Sequence, residues 1–191
     1  MKKTVHVTRP GALLALALSS QAMAGSIPLD VTFTATLRET TCDMKIEGGT
    51  GNGTNNTIPI GTGGSVQLND IVNGTDAATA NFKLKITECP SSLSALKTTV
   101  SGSQSGYVKT AIINAATSGP ADYLAVSIAR SSAPTAPFEI NSTDDSKRLV
   151  WTPAEISAKE VPLVARLVET QAGRGTTGAF SATATFNFTY E

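Results

Sequence analysis

The sequence predicts an all-β protein, an antiparallel β-sandwich built from many short strands. Segments in which apolar and polar residues alternate recur along the chain, and stretches rich in Gly, Ser, Pro, Asn and Asp separate them. No window shows a sustained helical period, and only Pro153–Glu160 is expected to form one helical turn. Short strands joined by turns are typical of sandwiches with antiparallel sheets.

The first 24 residues have the features of a secretory signal. A basic start and an apolar run over Ala12–Leu18 precede small residues at Ala22 and Ala24, the pattern of a cleavage site. The run is too short to span a bilayer. We therefore expect an exported chain that begins at Gly25 and keeps 167 of the 191 residues, enough for one domain with a core.

Composition argues against several functional classes. The signal holds three of the fifteen basic residues (Lys2, Lys3 and Arg9) and none of the fifteen acidic ones, so the exported chain has a formal charge of −3 and no basic run. Nucleic acid is therefore not expected as a partner. The one histidine, His6, also lies in the signal, which leaves no Ser-His-Asp triad and no histidine-bearing metal site.

A pair of carboxylates brought together by the fold could still catalyse a reaction, as in glycosidases. No spacing of acidic residues in the sequence indicates such a pair. Asp144 and Asp145 lie in a Ser- and Lys-rich stretch that indicates a solvated turn. We expect no enzyme activity, no cofactor, no metal and no small-molecule substrate.

The two cysteines, Cys42 and Cys89, both follow the signal. Two cysteines in an exported chain usually pair, and closing a loop of this length stabilises the fold by about 3–4 kcal/mol. A metal or redox pair is the less favoured alternative, because the sequence has no CxxC spacing and no nearby ligands to complete a metal set.

Two long alternating segments lie at the ends of the exported chain. The first has apolar residues at odd positions: Ile27, Leu29, Val31, Phe33, Ala35 and Leu37. The second has them at even positions: Phe180, Ala182, Ala184, Phe186, Phe188 and Tyr190. A period of two predicts half-buried strands. Either both strands belong to one sandwich, or one of them serves a neighbouring molecule.

Between these segments the pattern predicts further strands and one long loop. The loop is the Gly- and Asn-rich segment Gly48–Asn56. Trp151 is expected in the core or at an edge, and Arg166 is expected either at the solvent face or reaching the carbonyls of a partner strand. The predicted strands are Thr57–Ile60, Ser65–Leu68, Asn81–Thr87, Lys97–Gly102, Tyr107–Ile113, Leu124–Arg130, Leu149–Thr152, Val161–Val168 and Phe180–Tyr190.

Four features together resemble one family. An alternating arm ends shortly before Cys42, and the strand Asn81–Thr87 leads into Glu88-Cys89-Pro90. A penultimate strand covers Val164–Thr170, and the last strand has Tyr190 next to last and Gly178 fourteenth from the end. In these features the chain resembles the subunits of chaperone–usher pili, closest to the small single-domain minor or adaptor subunits of type 1-like fimbriae.

The resemblance implies an incomplete immunoglobulin-like sandwich that another chain completes with a donor strand. In this family a periplasmic chaperone lends a strand first, and the arm of the next subunit replaces it at the outer-membrane usher. The implied organisation is a signal (1–24), a donor-strand arm (25–37) and a pilin domain (38–191). The six apolar arm residues would be the donor side chains, and Gly178 with the apolar residues of the last strand would form the groove and chaperone-recognition strand.

The resemblance also implies a role and a location. The protein would be a structural subunit that passes through the periplasm into an extracellular fimbria and contributes to cell adhesion. The alternatives are a self-contained exported β-sandwich that binds a ligand, and a tip adhesin. The adhesin is disfavoured because 167 residues leave no room for a lectin domain before the pilin domain.

Overall fold

The structure, a computed structural model, describes residues 41–191. The predicted signal and the predicted arm, with Ile27, Leu29, Val31, Phe33, Ala35 and Leu37, lie outside the described residues. The boundaries proposed for these segments therefore stay predictions.

The described chain is built mainly from β-strands. Two short α-helices, α1 (Leu68–Val72) and α2 (Pro153–Ala158), and a 3-10 turn at Asp76–Ala78 interrupt them. The strands are β1 (Asp43–Glu47), β2 (Thr50–Gly51), β3 (Asn56–Thr57), β4 (Thr79–Glu88), β5 (Leu96–Ser101), β6 (Ala111–Ile113), β7 (Leu124–Arg130), β8 (Leu149–Val150), β9 (Glu160–Glu169) and β10 (Thr185–Tyr190).

The strands form two main antiparallel sheets and one small hairpin. The first sheet has the order β1-β4-β9-β7-β6, the second has the order β10-β5-β8, and β2 pairs with β3. Buried residues from both main sheets, such as Leu84 and Leu163 in the first and Leu96 and Leu149 in the second, join one core cluster. The predicted antiparallel sandwich is confirmed.

Side-chain alternation explains why β4 and β7 lie where they do. In β4, Phe82, Leu84 and Ile86 are buried, while Lys83 and Lys85 point outward and pair with carboxylates of neighbouring strands. The first six residues of β7 are all buried: Leu124, Val126 and Ile128 join the core cluster, and the alternating residues Ala125, Ser127 and Ala129 are small. The large residues of Leu124–Arg130 therefore alternate with small ones, as expected for a strand with one face toward the core.

Several predicted strands are shorter in the structure, or are replaced. Strand Tyr107–Ile113 is reduced to β6, because the Ser105 hydroxyl accepts hydrogen bonds from the amides of Tyr107 and Val108 and holds a turn there. The predicted strand Ser65–Leu68 is not formed. Instead α1 begins at its end and buries one side chain, Ile71. Five residues are too few to show a helical period in the sequence.

The hydrogen-bonded part of the C-terminal strand is also shorter than the predicted strand. Ladder pairing covers only Thr185–Tyr190, while the expected strand began at Phe180. The side-chain alternation nevertheless holds from Phe180 to Tyr190, with even positions half-buried and odd positions exposed. The segment before β10 is extended but bonds to an irregular loop instead of a strand.

The disulfide and Trp151 agree with their predictions. Cys42 and Cys89 form a disulfide that joins the residue before β1 to the residue after β4. Trp151 is 3% exposed, and its Nε1 donates a 2.9 Å hydrogen bond to Oγ1 of Thr98 in the core. Arg166 donates to the carbonyl of Gly74, so it reaches a loop of its own chain.

The helical turn at α2 is confirmed and well capped. The Thr152 hydroxyl accepts from the amide of Glu155, the Glu155 carboxylate accepts from the amide of Thr152, and Pro153 occupies the first turn. This capping box satisfies amides that a helix start leaves free. Glu155 also receives two hydrogen bonds from Arg130 of β7, at 2.8 and 3.0 Å, which fasten α2 to the first sheet.

Candidate functional site: an uncharged groove along the C-terminal segment

A groove of about 920 Å³ lies along the C-terminal segment, between the two sheets. One wall is residues 176–184 with Phe186, and the other is residues 54–60. Its floor consists of core side chains of β4, β7 and β9, namely Phe82, Leu124, Val126, Ile128, Ala165 and Leu167. All of the lining residues are uncharged.

Strand β10 forms the end of the second sheet. Among the described residues it pairs only with β5, from Thr185 opposite Ser101 to Tyr190 opposite Leu96. Its other edge carries backbone groups without a ladder partner, next to apolar side chains that are only half-buried. An edge of this kind is a template for pairing with another strand.

The segment before β10 is held in an extended form by a loop. The amide of Ala179 donates to the carbonyl of Gly119 at 2.8 Å, and the amide of Ala121 donates to the carbonyl of Ala179 at 2.9 Å. The Asn114 side chain donates to the carbonyls of Ala121 and Ala179 and accepts from the amide of Ser181. These contacts place Phe180, Ala182 and Ala184 along the groove wall.

Gly178 lies where the backbone of this segment crosses the loop. A Cβ at Gly178 would come within 2.6 Å of the Ala121 amide nitrogen and 2.7 Å of the Gly119 carbonyl oxygen. Its φ is +156°, a conformation that side chains rarely adopt. The close approach explains physically why glycine stands at the start of the wall.

The Gly-rich segment 48–56 shapes the opposite wall. It folds into the β2–β3 hairpin, in which the Asn56 side chain donates to the carbonyls of Ile46 and Gly48 and accepts from the amide of Gly53. A Cβ at Gly49 would lie 2.0 Å from the Thr57 carbonyl oxygen, so the turn requires glycine. The hairpin therefore positions residues 57–60 in the wall of the groove.

Phe186 is the last residue of the predicted groove strand that lines the groove, and Phe188 and Tyr190 are not part of the lining. The Phe82 and Phe186 rings pack with centroids 5.9 Å apart, and next along the chain the Phe188 and Tyr190 rings stack at 6.5 Å. The Tyr190 hydroxyl donates to the carbonyl of Cys42 at 3.2 Å. Burial raises the pKa of Tyr190 above its usual value, so the hydroxyl stays protonated and able to donate.

In the structure the alternating residues from Phe180 to Phe186 line the groove, while the residues that hold its walls, Asn114 and Asn56, were not singled out from the sequence. Asn114 and Asn56 follow no periodic pattern, because an asparagine that bonds to distant backbone gives no local signal. Outside the groove, residues 41–191 contain no cluster of three or more His, Cys, Asp or Glu side chains placed to hold a metal ion. Within the same range, no helix has the length and apolar character needed to cross a membrane.

Comparison with known proteins gives the class of the chain. A family model described as fimbrial protein matches residues 31–191. The fimbrial-like protein YadM of Escherichia coli (strain K12) is 33% identical in an alignment that covers 94% of this chain and 94% of that one. The chain therefore belongs to the fimbrial protein family.

Solved structures show the same fold. The P pilus rod subunit PapA superposes with a TM-score of 0.52 at 15% identity, over 85% of this chain and 100% of that one. A subunit from a chaperone–usher pilus superposes with a TM-score of 0.50 at 15% identity, over 87% and 97%. The fold is the incomplete immunoglobulin-like sandwich of pilus subunits.

Family membership fixes the broad role. Fimbrial proteins are structural subunits of surface pili and not enzymes, so the chain is a pilus subunit that acts outside the cell in contact with other subunits.

Proposed function

We propose that this pilus subunit is assembled by donor-strand exchange along the chaperone–usher route and that the resulting fimbria contributes to cell adhesion. The observation that carries the proposal is the open, uncharged groove along the C-terminal segment that leads into β10, an edge strand with half-buried side chains. A periplasmic chaperone would cover the groove first, and the arm of another subunit would replace it at the outer-membrane usher.

The groove suits an added strand better than a small polar ligand. One wall is an extended backbone, the floor consists of apolar core side chains, and no charged group lines the groove. An inserted strand would pair with the free edge of β10 and bury alternate side chains between the sheets. Four apolar side chains buried at about 1.5–3 kcal/mol each give a gross gain on the order of 10 kcal/mol.

The arm proposed for residues 25–37 supplies the matching donor. Its odd positions from Ile27 to Leu37 are all apolar, and none of them is charged. Its even positions are Pro28, Asp30 and three threonines, which suit the outer face of a sheet. In this proposal each subunit accepts a strand at its groove and donates its own arm to a neighbour, in the periplasm and then in the growing fimbria.

Incorporation into fimbriae tests both halves of the proposal. In cells that produce the fimbria, Ala184→Asp places a charge in the groove and Val31→Asp places one on the donor face of the arm. Their matched controls are Thr183→Asp and Thr32→Asp, which lie one residue away on the opposite face of each segment. We expect fimbriae sheared from the cells to contain the two control variants. Ala184→Asp and Val31→Asp should be absent from them.

The periplasmic level of disulfide-bonded subunit separates failure to assemble from failure to fold. Val31→Asp should accumulate as folded subunit, because the arm lies outside the pilin domain. If Ala184→Asp and Val31→Asp enter sheared fimbriae as well as their controls do, the donor-strand proposal is wrong. Adhesion of the same cells, counted on a surface that wild-type cells bind, should fall with the loss of fimbriae.

A further inference from the structure

We propose that Tyr107, Tyr123 and Arg174 form a binding site for acidic saccharides. An aromatic ring would pack against a sugar ring, and the guanidinium would bind the carboxylate of the sugar. The inference rests on the proposed role in adhesion, since the surface that the fimbria meets would carry the saccharide, and it adds the class of ligand. None of the three residues lines the groove.

Three loops bring these side chains together. Tyr107 lies in the turn before β6, Tyr123 directly precedes β7, and Arg174 lies in the turn after β9. The Tyr107 and Tyr123 rings have centroids 6.4 Å apart and planes inclined by 41°. The guanidinium carbon of Arg174 lies 4.0 Å from the centroid of the Tyr123 ring. A ligand the size of a disaccharide is long enough to contact both the Tyr107 ring and the guanidinium.

The guanidinium of Arg174 is fixed in place without an acidic partner. It donates hydrogen bonds to the Tyr123 hydroxyl and to the Gln171 side chain. Among residues 41–191 the other arginines each pair with a carboxylate, and Arg174 pairs with none: Arg130, Arg148 and Arg166. The remaining N–H groups of Arg174 are therefore open to a ligand. A planar guanidinium binds a carboxylate through two parallel hydrogen bonds.

The nearest acidic residue in the chain, Glu169, is engaged elsewhere. Its Oε2 accepts from the amide of Gly173 at 3.0 Å, and its Oε1 accepts from the amide of Gly175 at 2.8 Å. These two bonds occupy the carboxylate and shape the turn that presents Arg174. The carboxylate thus positions the guanidinium without forming an ion pair with it.

Tyr123 adopts a backbone conformation that a tyrosine rarely takes. Its φ is +55°, in the left-handed region that is unfavourable for bulky residues. The Tyr123 carbonyl accepts from the amide of Thr170 at 2.8 Å, and the amide of Asp122 donates to Oγ1 of Thr176 at 2.7 Å, so the segment after β9 holds this conformation. Backbone strain of this kind clusters at functional sites. Glycine or asparagine would relieve the strain, but neither provides a ring beneath the guanidinium.

Tyr107 supplies the open aromatic surface. It is 65% exposed, more than Val72 at 52% and Ile113 at 41%. A pyranose ring has a face of C–H groups, which packs favourably against the electron-rich face of an aromatic ring. Sites for small ligands combine such aromatic surface with a few placed polar groups.

The small size of this cluster favours a saccharide over a protein partner. A stable protein interface buries about 800 Å² on each side and has an apolar centre. Apart from Tyr107, the exposed large hydrophobic residues of the described chain are Val72 and Ile113 alone. The residues next to the three side chains along the chain are mostly small or polar, among them Gly106, Asp122 and Gly173.

Saturation-transfer NMR with the exported, disulfide-bonded chain tests the inference. The probes are the methyl glycosides of N-acetylneuraminic acid and of glucuronic acid. Each is compared with its methyl ester, which keeps the sugar ring and loses the charge. We expect at least one acid to bind, and its ester to bind at least tenfold more weakly. Binding of neither acid would overturn the inference, as would equal binding of the acid and its ester.

Matched substitutions separate this site from general effects of charge and exposure. Arg174→Gln and Tyr107→Ala should each lower the affinity for the bound acid at least tenfold. The control Lys159→Gln removes the charge of an exposed lysine that forms no ion pair among the described residues, and the control Val72→Ala truncates another exposed apolar side chain. Both controls should bind as the wild type does. Wild-type affinity in Arg174→Gln would overturn the inference.

Melting temperatures distinguish a binding role from a structural one. An exposed contact between a cation and an aromatic ring contributes little to stability, so Arg174→Gln should shift Tm by less than about 4 °C. Lost binding at an unchanged Tm supports the inference, whereas unchanged binding at a lowered Tm would show that the contact is structural. If Arg174→Gln loses both, Tyr107→Ala decides, because its ring is mostly exposed: lost binding at wild-type Tm supports the inference and retained binding contradicts it.

Incorporation into fimbriae distinguishes this inference from the proposed assembly. Arg174→Gln and Tyr107→Ala should enter sheared fimbriae at the wild-type level. If neither acid binds and both variants are excluded from fimbriae, the cluster is an interface with another subunit and the inference is wrong. The groove variants still decide the proposed assembly in that case. Binding of an acid together with incorporation of Ala184→Asp and Val31→Asp would support the saccharide site and refute donor-strand exchange.

Discussion

Gly178 offers the sharpest test of how the groove wall is built. In Gly178→Ala the new methyl group would lie 2.6 Å from the Ala121 nitrogen and 2.7 Å from both the Gly119 oxygen and the Pro120 carbonyl carbon. All three are backbone atoms, so no side-chain rotation relieves the overlap. Either the loop or the wall must move away.

The expected loss follows from the contacts that this movement disturbs. Overpacking in a well-ordered region costs about 1–3 kcal/mol. The two backbone hydrogen bonds that join Ala179 to Gly119 and to Ala121 contribute about 1 kcal/mol each if they are broken. We expect Gly178→Ala to lower the free energy of unfolding by about 2–4 kcal/mol and to weaken binding of any strand to the displaced wall.

Equilibrium urea unfolding of the disulfide-bonded chain, followed by the fluorescence of its one tryptophan, Trp151, measures this loss. Gly106→Ala is the matched control, because a Cβ there meets no atom within 4 Å and Gly106 does not have a positive φ. The control should be neutral or slightly stabilising. If Gly178→Ala is as stable as Gly106→Ala to within about 0.5 kcal/mol, the close approach of residue 178 to the backbone of residues 119–121 does not require glycine, which would refute the prediction.

Two further predictions concern stability. Replacing Cys42 and Cys89 together by serine opens a loop with a sequence separation of 47 and should lower the free energy of unfolding by about 4 kcal/mol. Urea titration under oxidising conditions measures this loss, and an unchanged unfolding midpoint would contradict the prediction. Partial burial by itself would raise the pKa of Glu155, but hydrogen bonds from Arg130 and the Thr152 amide outweigh it and hold the pKa below its usual value. Because the folded pKa is depressed, the stabilisation by Glu155 is full above the unfolded pKa near about 4.3 and is lost as the pH falls through the folded value. Glu155→Gln should therefore cost about 1–2 kcal/mol at pH 7 and approach the wild type in stability as the pH falls through the folded pKa, and a pH-independent difference would argue against the ion pair.

The strands that the sequence predicted well are those whose faces differ in burial. In β4 and β9 the alternation follows from one face toward the core, and in β7 the large residues Leu124, Val126 and Ile128 join the core while the residues between them are small. The alternation at Phe180–Tyr190 is likewise present in the structure, although ladder bonds begin only at Thr185. Patterns of this kind are local and can be read without knowledge of the fold.

The features that the sequence did not reveal depend on contacts between distant segments. Asn114 bonds to backbone 65 residues away in sequence, and Asn56 bonds across the hairpin to Gly48. The Gly48–Asn56 segment was expected to be a loop, yet its glycines permit a hairpin that builds the second wall. Helix α1 was missed because one buried side chain in five residues gives no period.

Amide hydrogen exchange tests most directly whether another chain completes the groove. It would be measured over residues 179–190, both in fimbriae sheared from cells and in the unassembled, disulfide-bonded subunit. The account predicts that amides on the free edge of β10 exchange rapidly in the subunit and at least a hundredfold more slowly in fimbriae, because a donor strand has paired with them. Equal exchange in the two samples would show that no strand is added there and would contradict the account.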